Sequence, residues 1–373
     1  MQTIDISNNI IGQSRVKEVL NNIYLSKRVP HAFLFYGPSG SGKFFTAIEF
    51  LKMLNSSVND SSSEKFFRNI STLSEPAVKL IFALPRGKGE TGDDTSYEKL
   101  SADTLATISS EISALAGNPY HMLNIPGANT IKISSIRDIK KYSNLTDKSN
   151  YIKAVIIYDA ELMADEAQNA LLKVLEEPPE GFIFFLLTSV KEKLLPTILS
   201  RCWQVKFSSL SNEETKTVLV KYFNIDQNKA ELLSAFGDGS LETCLNLLKY
   251  DINAIMESAV QTIRYSLAKK YYLAFKTIED SIEITNKEYV AFFIGAILKW
   301  LLDANKYRFN AKIDYFSTYK DTIEKFNSKF NTIDISKTIN KLEQFSRLID
   351  NNINLNIILQ GIIFELSSLS LRN

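Results

Sequence analysis

Residues 37–43 read Gly37-Pro38-Ser39-Gly40-Ser41-Gly42-Lys43, a glycine-rich turn closed by a lysine, and residue types at this spacing are suited to holding phosphate. The glycines let consecutive backbone N–H groups converge on phosphate oxygens. The helix expected after the turn adds the positive end of its dipole, and the lysine reaches the terminal phosphates. One part of this chemistry is missing. A serine or threonine directly after the lysine would hold magnesium through its hydroxyl, and that position is Phe44. Two readings stay open on the motif alone: a phosphate-loop machine that still turns over nucleotide, or a fold kept after the chemistry is lost.

The elements that must position this loop are legible on either side of it. Ala32 to Tyr36 is an apolar run that predicts a strand entering the loop, and Phe45 to Leu54 predicts the helix leaving it. A second informative stretch runs from Tyr151 to Phe207. Ala154-Val155-Ile156-Ile157-Tyr158 is continuous and apolar, as a strand buried on both faces must be, and it ends at Asp159. A helix from Ala164 to Leu175 is stopped by Pro178-Pro179, a further buried strand from Phe182 to Leu187 ends in Thr188-Ser189, and Val205 to Phe207 predicts a last strand. Strands alternating with helices make a doubly wound parallel α/β sheet with its ligand chemistry at the carboxyl ends of the strands. Asp159 and Thr188 therefore join Gly37, Pro38, Ser39, Gly40, Ser41, Gly42, Lys43 and Phe44 as candidate nucleotide contacts.

Around this frame, residues 5–28 predict a helix-bearing entry segment, with Val16, Val19, Leu20 and Ile23 at helical spacing. Residues 55–68 and 84–96 are polar and turn-rich and predict loops; the glycine and basic residues of the second suit a solvated loop better than a phosphate contact. Between them and Tyr151 come a helix from Leu100 to Leu115, a short strand from Thr130 to Ile133, and a helix from Ser134 to Tyr142. From Ser208 onward the pattern is helical. A small lid-like region, residues 208–250, opens on the capped start Leu210 to Glu214, and residues 251–373 carry Ile, Leu, Phe and Tyr at three-and-four spacing without a catalytic constellation. Trp300 and the aromatic stripes there read as core.

Composition bounds the function. A chain of 373 residues exceeds what one core sustains and predicts two or three domains, divided here as 1–207, 208–250 and 251–373. With 45% hydrophobic and 23% charged residues and a net charge of +1, nothing pulls the whole molecule toward nucleic acid or membrane, so any such contact is local. The N-terminal residues lack a basic region and an apolar run, and the longest apolar segment, Tyr289 to Leu302, is interrupted by Lys299. A cytoplasmic protein without a membrane partner is expected. Cys202 and Cys244 are the only cysteines, too few for a disulfide framework or a four-cysteine zinc site, so no zinc is expected.

Taken together, the phosphate loop, the run Asn169-Ala170-Leu171-Leu172-Lys173-Val174-Leu175-Glu176-Glu177-Pro178-Pro179 and the run Ile198-Leu199-Ser200-Arg201-Cys202 resemble the bacterial clamp loaders of the AAA+ class. The likeness spans residues 8–245. It implies an α/β AAA+ P-loop base with a parallel sheet, then a small helical lid and an all-α collar. The partners it implies are the gamma or tau ATPase subunits and the delta subunit, a sliding clamp, and primed DNA in the assembled pentamer. The family holds those ATPases and two relatives with impaired or absent hydrolysis, delta and delta prime.

Three departures bear on which kind this is. Phe44 is the first. The second is the acidic pair at the end of the Walker B strand, which falls on Tyr158 and Asp159 in one register and on Asp159 and Ala160 in the other; either register loses an acid. The third is the arginine that follows a Gly-Ser-x pattern in the lids of the ATPases, where Gly239-Ser240-Leu241 is followed here by Glu242, a charge that repels triphosphate. Together they favour a subunit that binds ATP without hydrolysis, if it binds it at all. An active gamma-type ATPase and a nucleotide-binding scaffold unrelated to the clamp are the alternatives. What the resemblance preserves is Arg201, which in this family is offered to the nucleotide of the neighbouring subunit; the plainer reading is a surface arginine at the start of a strand.

Overall fold

Apolar runs too short for helices have only one way to bury both faces, which is to lie side by side between helical layers. The computed structural model describes residues 10–56, 63–91, 94–145, 151–281, 283–331, 333–351 and 353–371, and it forms two units. The first comprises Met1–Ala230 and Gly239–Glu242, the second Glu231–Asp238 and Thr243–Asn373. Unit 1 holds the sheet: β1 (Ala32–Tyr36), β2 (Val78–Ile81), β3 (Lys153–Ile157), β4 (Phe182–Thr188) and β5 (Trp203–Lys206), in the order β2-β3-β4-β1-β5. Every neighbouring pair is parallel, with Ala32 opposite Phe184, Phe33 opposite Trp203, Ala154 opposite Val78 and Lys153 opposite Phe182. The two edge strands, β2 and β5, are four residues each.

Around the sheet lie α1 (Ser14–Ser26), α2 (Lys43–Leu54), α3 (Ser63–Ser71), α4 (Ala102–Gly117), α5 (Ile133–Leu145), α6 (Asp165–Glu176), the single turn α7 (Pro196–Leu199) and α8 (Asn212–Phe223). Strand periodicity divides the core. Phe33, Phe35 and Phe185 point to one face, where Phe33 and Phe185 stack at 5.6 Å and Phe50 of α2 meets Phe33 edge-on at 5.6 Å. Leu34, Phe184, Leu186, Val155 and Ile157 point to the other and join Ile139 of α5 and Leu171 of α6. Burying each such side chain contributes about 1.5–3 kcal/mol, so the sheet is the most heavily stabilised part of the unit and the rigid base for what its loops carry.

The parallel α/β sheet and the helical C-terminal region agree with the sequence pattern, and three local readings do not. Thr130 to Ile133 is no strand: Thr130 pairs once with Leu84 and Ile131 once with Met163, on different partners, and Ile133 already begins α5. Within the polar stretch 55–68, residues 57–62 lie outside the described residues, but Ser63 onward is helix α3. Phe66 and Ile70, one turn apart, are buried, and Phe66 stacks on Tyr151 at 4.2 Å. Val78–Ile81 forms a strand that the pattern did not signal. The loop of residues 84–96 contains no helix or strand among its described residues, 92 and 93 being outside them. Of the entry segment 5–28, residues 5–9 are likewise outside, and the rest contains α1.

The helices α9 (Gln227–Phe236) and α10 (Leu241–Leu247) follow, and then α11 (Ile252–Leu267), α12 (Tyr271–Ser281), α13 (Lys287–Arg308), α14 (Lys320–Lys329), α15 (Ile335–Arg347) and α16 (Leu355–Ser368) of unit 2. Side-chain caps start several of these: Asp226 for α9, Asp251 for α11, Asn286 for α13, Asp334 for α15 and Asn354 for α16. The apolar run Tyr289 to Leu302 lies in α13, with Phe293, Ile294, Ile297 and Leu301 fully buried, and its Lys299 pairs with Asp238 at 2.6 Å. Among the described residues no helix is long and apolar enough to cross a membrane. Asp303, near the end of α13, is wholly buried and accepts the backbone N–H groups of Asp314, Tyr315 and Phe316 at 3.0, 2.9 and 2.7 Å. It fixes the connection between α13 and α14. Replacing Asp303 by alanine takes the acceptor from three backbone donors at once, that of Phe316 buried, and chemical denaturation should register a loss of about 3 kcal/mol; an unchanged midpoint would show that water replaces the carboxylate.

Candidate functional site

Strand β1 delivers the chain to the carboxyl edge of the sheet, where Gly37 must turn it away without touching the end of β5. A Cβ on Gly37 would lie 2.3 Å from the carbonyl oxygen of Phe207, at a φ of 147°. The Gly37 N–H donates to the carbonyl of Thr188 at 3.2 Å, so β4 anchors the loop's first residue. Gly42, at φ 86°, is the N-cap of α2, which begins at Lys43, two residues earlier than the apolar pattern indicates. Glycine in this left-handed conformation lets the helix start without strain.

The lysine does not project from the loop. Lys43 is 8% exposed, and its Nζ donates to the carbonyls of Gly37 and Pro38, both at 2.7 Å. Burial brings its pKa down to about 8, against the opposing pull of Asp159, Glu161 and Glu242. Asp159, at the end of β3 with a φ of 50°, has its carboxyl pushed up to about 7 by burial and then by the charge of Glu161, with Lys43 pulling the other way. Three carboxylates thus surround one lysine. Glu161 was not identifiable from sequence; its Oε1 accepts the backbone N–H of Ser189 at 2.9 Å, and the only signal is its place two residues after Asp159.

Aromatic side chains crowd the end of the loop. Phe44 is buried, and its ring lies 6.1 Å from that of Tyr158. Phe45 meets Tyr120 at 5.8 Å, and Tyr120 meets Tyr222 at 5.0 Å. Burial raises the Tyr158 phenol well above its ordinary value, with the nearby backbone of Leu123 pulling the other way. Leu123 belongs to the segment 118–125, which covers the loop. Asn118 donates to the carbonyl of Tyr222 at 2.9 Å, His121 and Asn124 both bond Glu111, and the Ser39 hydroxyl lies 3.9 Å from the Met122 sulfur.

The cavity left between Lys43, Phe44, Tyr120, Met122, Tyr158 and Asp159 measures about 30 Å³. That is room for about one water, against the roughly 300 Å³ or more of a ligand pocket. The residues as arranged do not fit a magnesium nucleotide.

Of the predicted contacts, Ser39, Gly40, Gly42, Lys43, Phe44 and Asp159 line this cavity. Gly37 and Pro38 serve it through the carbonyls that hold Lys43. Ser41 is buried with an unpartnered hydroxyl, and Thr188 turns its hydroxyl to the Val190 N–H at 3.1 Å instead of to the loop. Cys202 and Cys244 are buried free thiols, pushed up to about 12 by burial, and neither is poised as a nucleophile. Among the described residues no cluster of three or more histidine, cysteine or acidic side chains could hold a metal ion.

Arg201 lies elsewhere. It follows α7 and precedes β5 by two residues, which puts it at the amino-terminal edge of a parallel sheet whose carboxyl-terminal edge carries the loop. The two are separated by at least the length of β5, roughly 13 Å. Its guanidinium is on the surface, bonded to Glu176 at 2.6 Å and to the carbonyl of Thr197 at 3.0 Å. An exposed pair of this kind is worth about 0–1 kcal/mol and is easily exchanged for another anion.

Sheet order, loop and helical C-terminal region together define an AAA+ P-loop fold. The chain belongs to the clamp-loader family of DNA polymerase III: the family profile described as DNA polymerase III, delta subunit, matches residues 12–211. It is 26% identical to DNA polymerase III subunit tau of Bacillus subtilis over 66% of its own length and 37% of the relative's. It is 32% identical to subunit delta' of Escherichia coli over 40% of its own length and 44% of that protein's. The chain therefore spans less than half of either relative. A solved gamma subunit-related protein of DNA polymerase III from Thermotoga maritima aligns over 94% of this chain and 99% of that one, at 16% identity and a TM-score of 0.43.

The charge arrangement makes stability depend on pH. Folding raises the Asp159 pKa from 3.8 to about 7, so the native state is favoured where the carboxyl is protonated and loses that advantage as pH rises from about 4 through 7. Lys43, lowered from 10.5 to about 8, works in a separate window and returns stability between those two values. Asparagine imitates the protonated acid. Denaturation at pH 4.5 and 7.5 should show Asp159→Asn gaining roughly 2–4 kcal/mol on wild type at the higher pH and little at the lower. Equal effects at both values would mean that Asp159 keeps an ordinary pKa.

Proposed function

We propose that this protein is a delta prime-type subunit of a bacterial clamp loader: it does not hydrolyse ATP, uses its phosphate loop as a structural brace, and supplies Arg201 to the nucleotide of a neighbouring gamma or tau subunit. The observation that carries this reading is the filled loop cavity of about 30 Å³, closed by Phe44, Tyr158 and the segment 118–125. Any nucleotide uptake requires that segment to move. The polarity of the sheet supports the second half of the reading, because an arginine at the amino-terminal edge cannot reach its own chain's loop and is free to face another's. In this reading residues 1–207 are the base, 208–250 the lid and 251–373 the collar, and the assembly with gamma or tau and delta acts in the cytoplasm on a sliding clamp and primed DNA. Zinc has no part in it.

The active gamma-type ATPase remains the second reading, because the tau and gamma relatives match two thirds of this chain and the delta' relative 40%. The two readings differ in which residue matters. An arginine given in trans contributes about 10³–10⁵ to one active site, and several sites share the load in an assembly. Arg201→Ala should therefore lower the ATPase rate of the assembled complex and impair clamp loading more than Lys43→Ala does, and Phe44→Thr alone should confer no hydrolysis on the purified chain. The reverse order of the two effects would favour the gamma-type reading.

Unit 2 also bears the mark of assembly. Ile357 and Phe364 of α16 are 62% and 58% exposed, two turns apart on one face, and Tyr271 meets Phe364 at 5.3 Å beside Tyr272, which is 74% exposed. Phe364→Asp should leave the fold intact and weaken binding to gamma by about tenfold or more in sedimentation or pull-down titrations. Undiminished binding would remove this face from the interface.

A further inference from the structure

A second cavity, of about 200 Å³, opens in unit 2 between α11, α13 and α14, far in sequence from any motif. Its floor is Ile263, Trp300, Phe326 and Phe330, each no more than 5% exposed, with Trp300 set edge-on to Phe326 at 5.2 Å. The indole N–H of Trp300 is buried without a hydrogen-bond partner among the described residues. Its rim is cationic. Arg264 and Ala268 stand on the α11 side, and Lys325 and Lys329, one turn apart, on the α14 side; all four are exposed. Among the described residues no carboxylate lines the cavity.

We propose that this cavity docks an acidic segment of a partner protein, one large apolar side chain filling the aromatic well while flanking carboxylates meet Arg264 and Lys325. Size and charge select this occupant. The well is smaller than the roughly 300–1,000 Å³ of a dedicated small-molecule site, and it is open to solvent, which suits a single anchoring side chain on a chain that continues past it. Positive groups contributed by two different helices, with no acid among the described lining residues, are complementary to carboxylates flanking that anchor. Single-stranded nucleic acid would need ring faces exposed for base stacking, and here the rings form the bottom of a hole. This inference stands apart from the role assigned to Arg201 and the phosphate loop.

The test is an array of short peptides in which the central residue and the charge of its flanks are varied independently, probed with the labelled full-length chain. Wild type should retain peptides with a large apolar centre and aspartate or glutamate flanks. The exposed double substitution Arg264→Glu with Lys325→Glu should weaken those by about tenfold or more and favour lysine-flanked peptides with the same centre. Ala268→Trp places bulk at the mouth without changing charge, and it should abolish retention whatever the flanks. The proposal is overturned if wild type shows no preference for acidic flanks, if charge reversal leaves the preference unchanged, or if Ala268→Trp binds like wild type. It is equally overturned if an oligothymidylate binds wild type and loses affinity in the charge-reversed protein while the peptides do not.

Discussion

The polarity of the parallel sheet is the constraint from which the rest of unit 1 follows. Because β1 runs in the same direction as β4 and β5, its exit lies beside theirs, and only there can the Gly37 N–H meet Thr188 and the turn pass beneath Phe207. The same polarity sends Arg201 to the opposite edge. One geometric fact thus separates the phosphate loop from the arginine by a strand's length.

Within the loop the lysine satisfies itself on the loop's own backbone. A lysine buried at 8% exposure needs acceptors, and with the space ahead of it taken by aromatic rings it finds them in the carbonyls of Gly37 and Pro38. The glycines are still required, but by the neighbouring backbone of Phe207 and the start of α2. Packing alone thus gives these glycines a reason to be glycine, and motif matching does not distinguish that reason from phosphate binding.

Much of the frame was legible because its signals are local. β1, β3 and β4 are continuous apolar runs, and no solvent-facing structure tolerates those. β2 escaped notice because it is a short edge strand, Val-Lys-Leu-Ile, whose Lys79 breaks the run. Helix α3 was hidden because two residues, Phe66 and Ile70, carry all its deep burial in a polar surrounding. At the site, the loop, Phe44 and the acid at Asp159 could be read from spacing, and Glu242 drew attention only through the family resemblance. The cover formed by Tyr120, Met122 and Leu123 could not: it arrives from some 80 residues downstream with no motif of its own. Glu161 becomes visible only once the fold brings it beside Asp159 and Lys43.

The two edge strands carry a further consequence, for the behaviour of the protein in concentrated solution. An open sheet ends in unpaired N–H and C=O groups that can template another copy, and Trp203 on β5 is 52% exposed, an apolar invitation to such pairing. Against this stand the four-residue length of each edge and one lysine on each: Lys206 on β5, and Lys79 on β2 held by Glu75 at 2.7 Å. Shortness and charge guard these borders against the sheet-to-sheet aggregation that the paired inner strands are spared, so colloidal stability draws on two lysines that stand outside the phosphate loop.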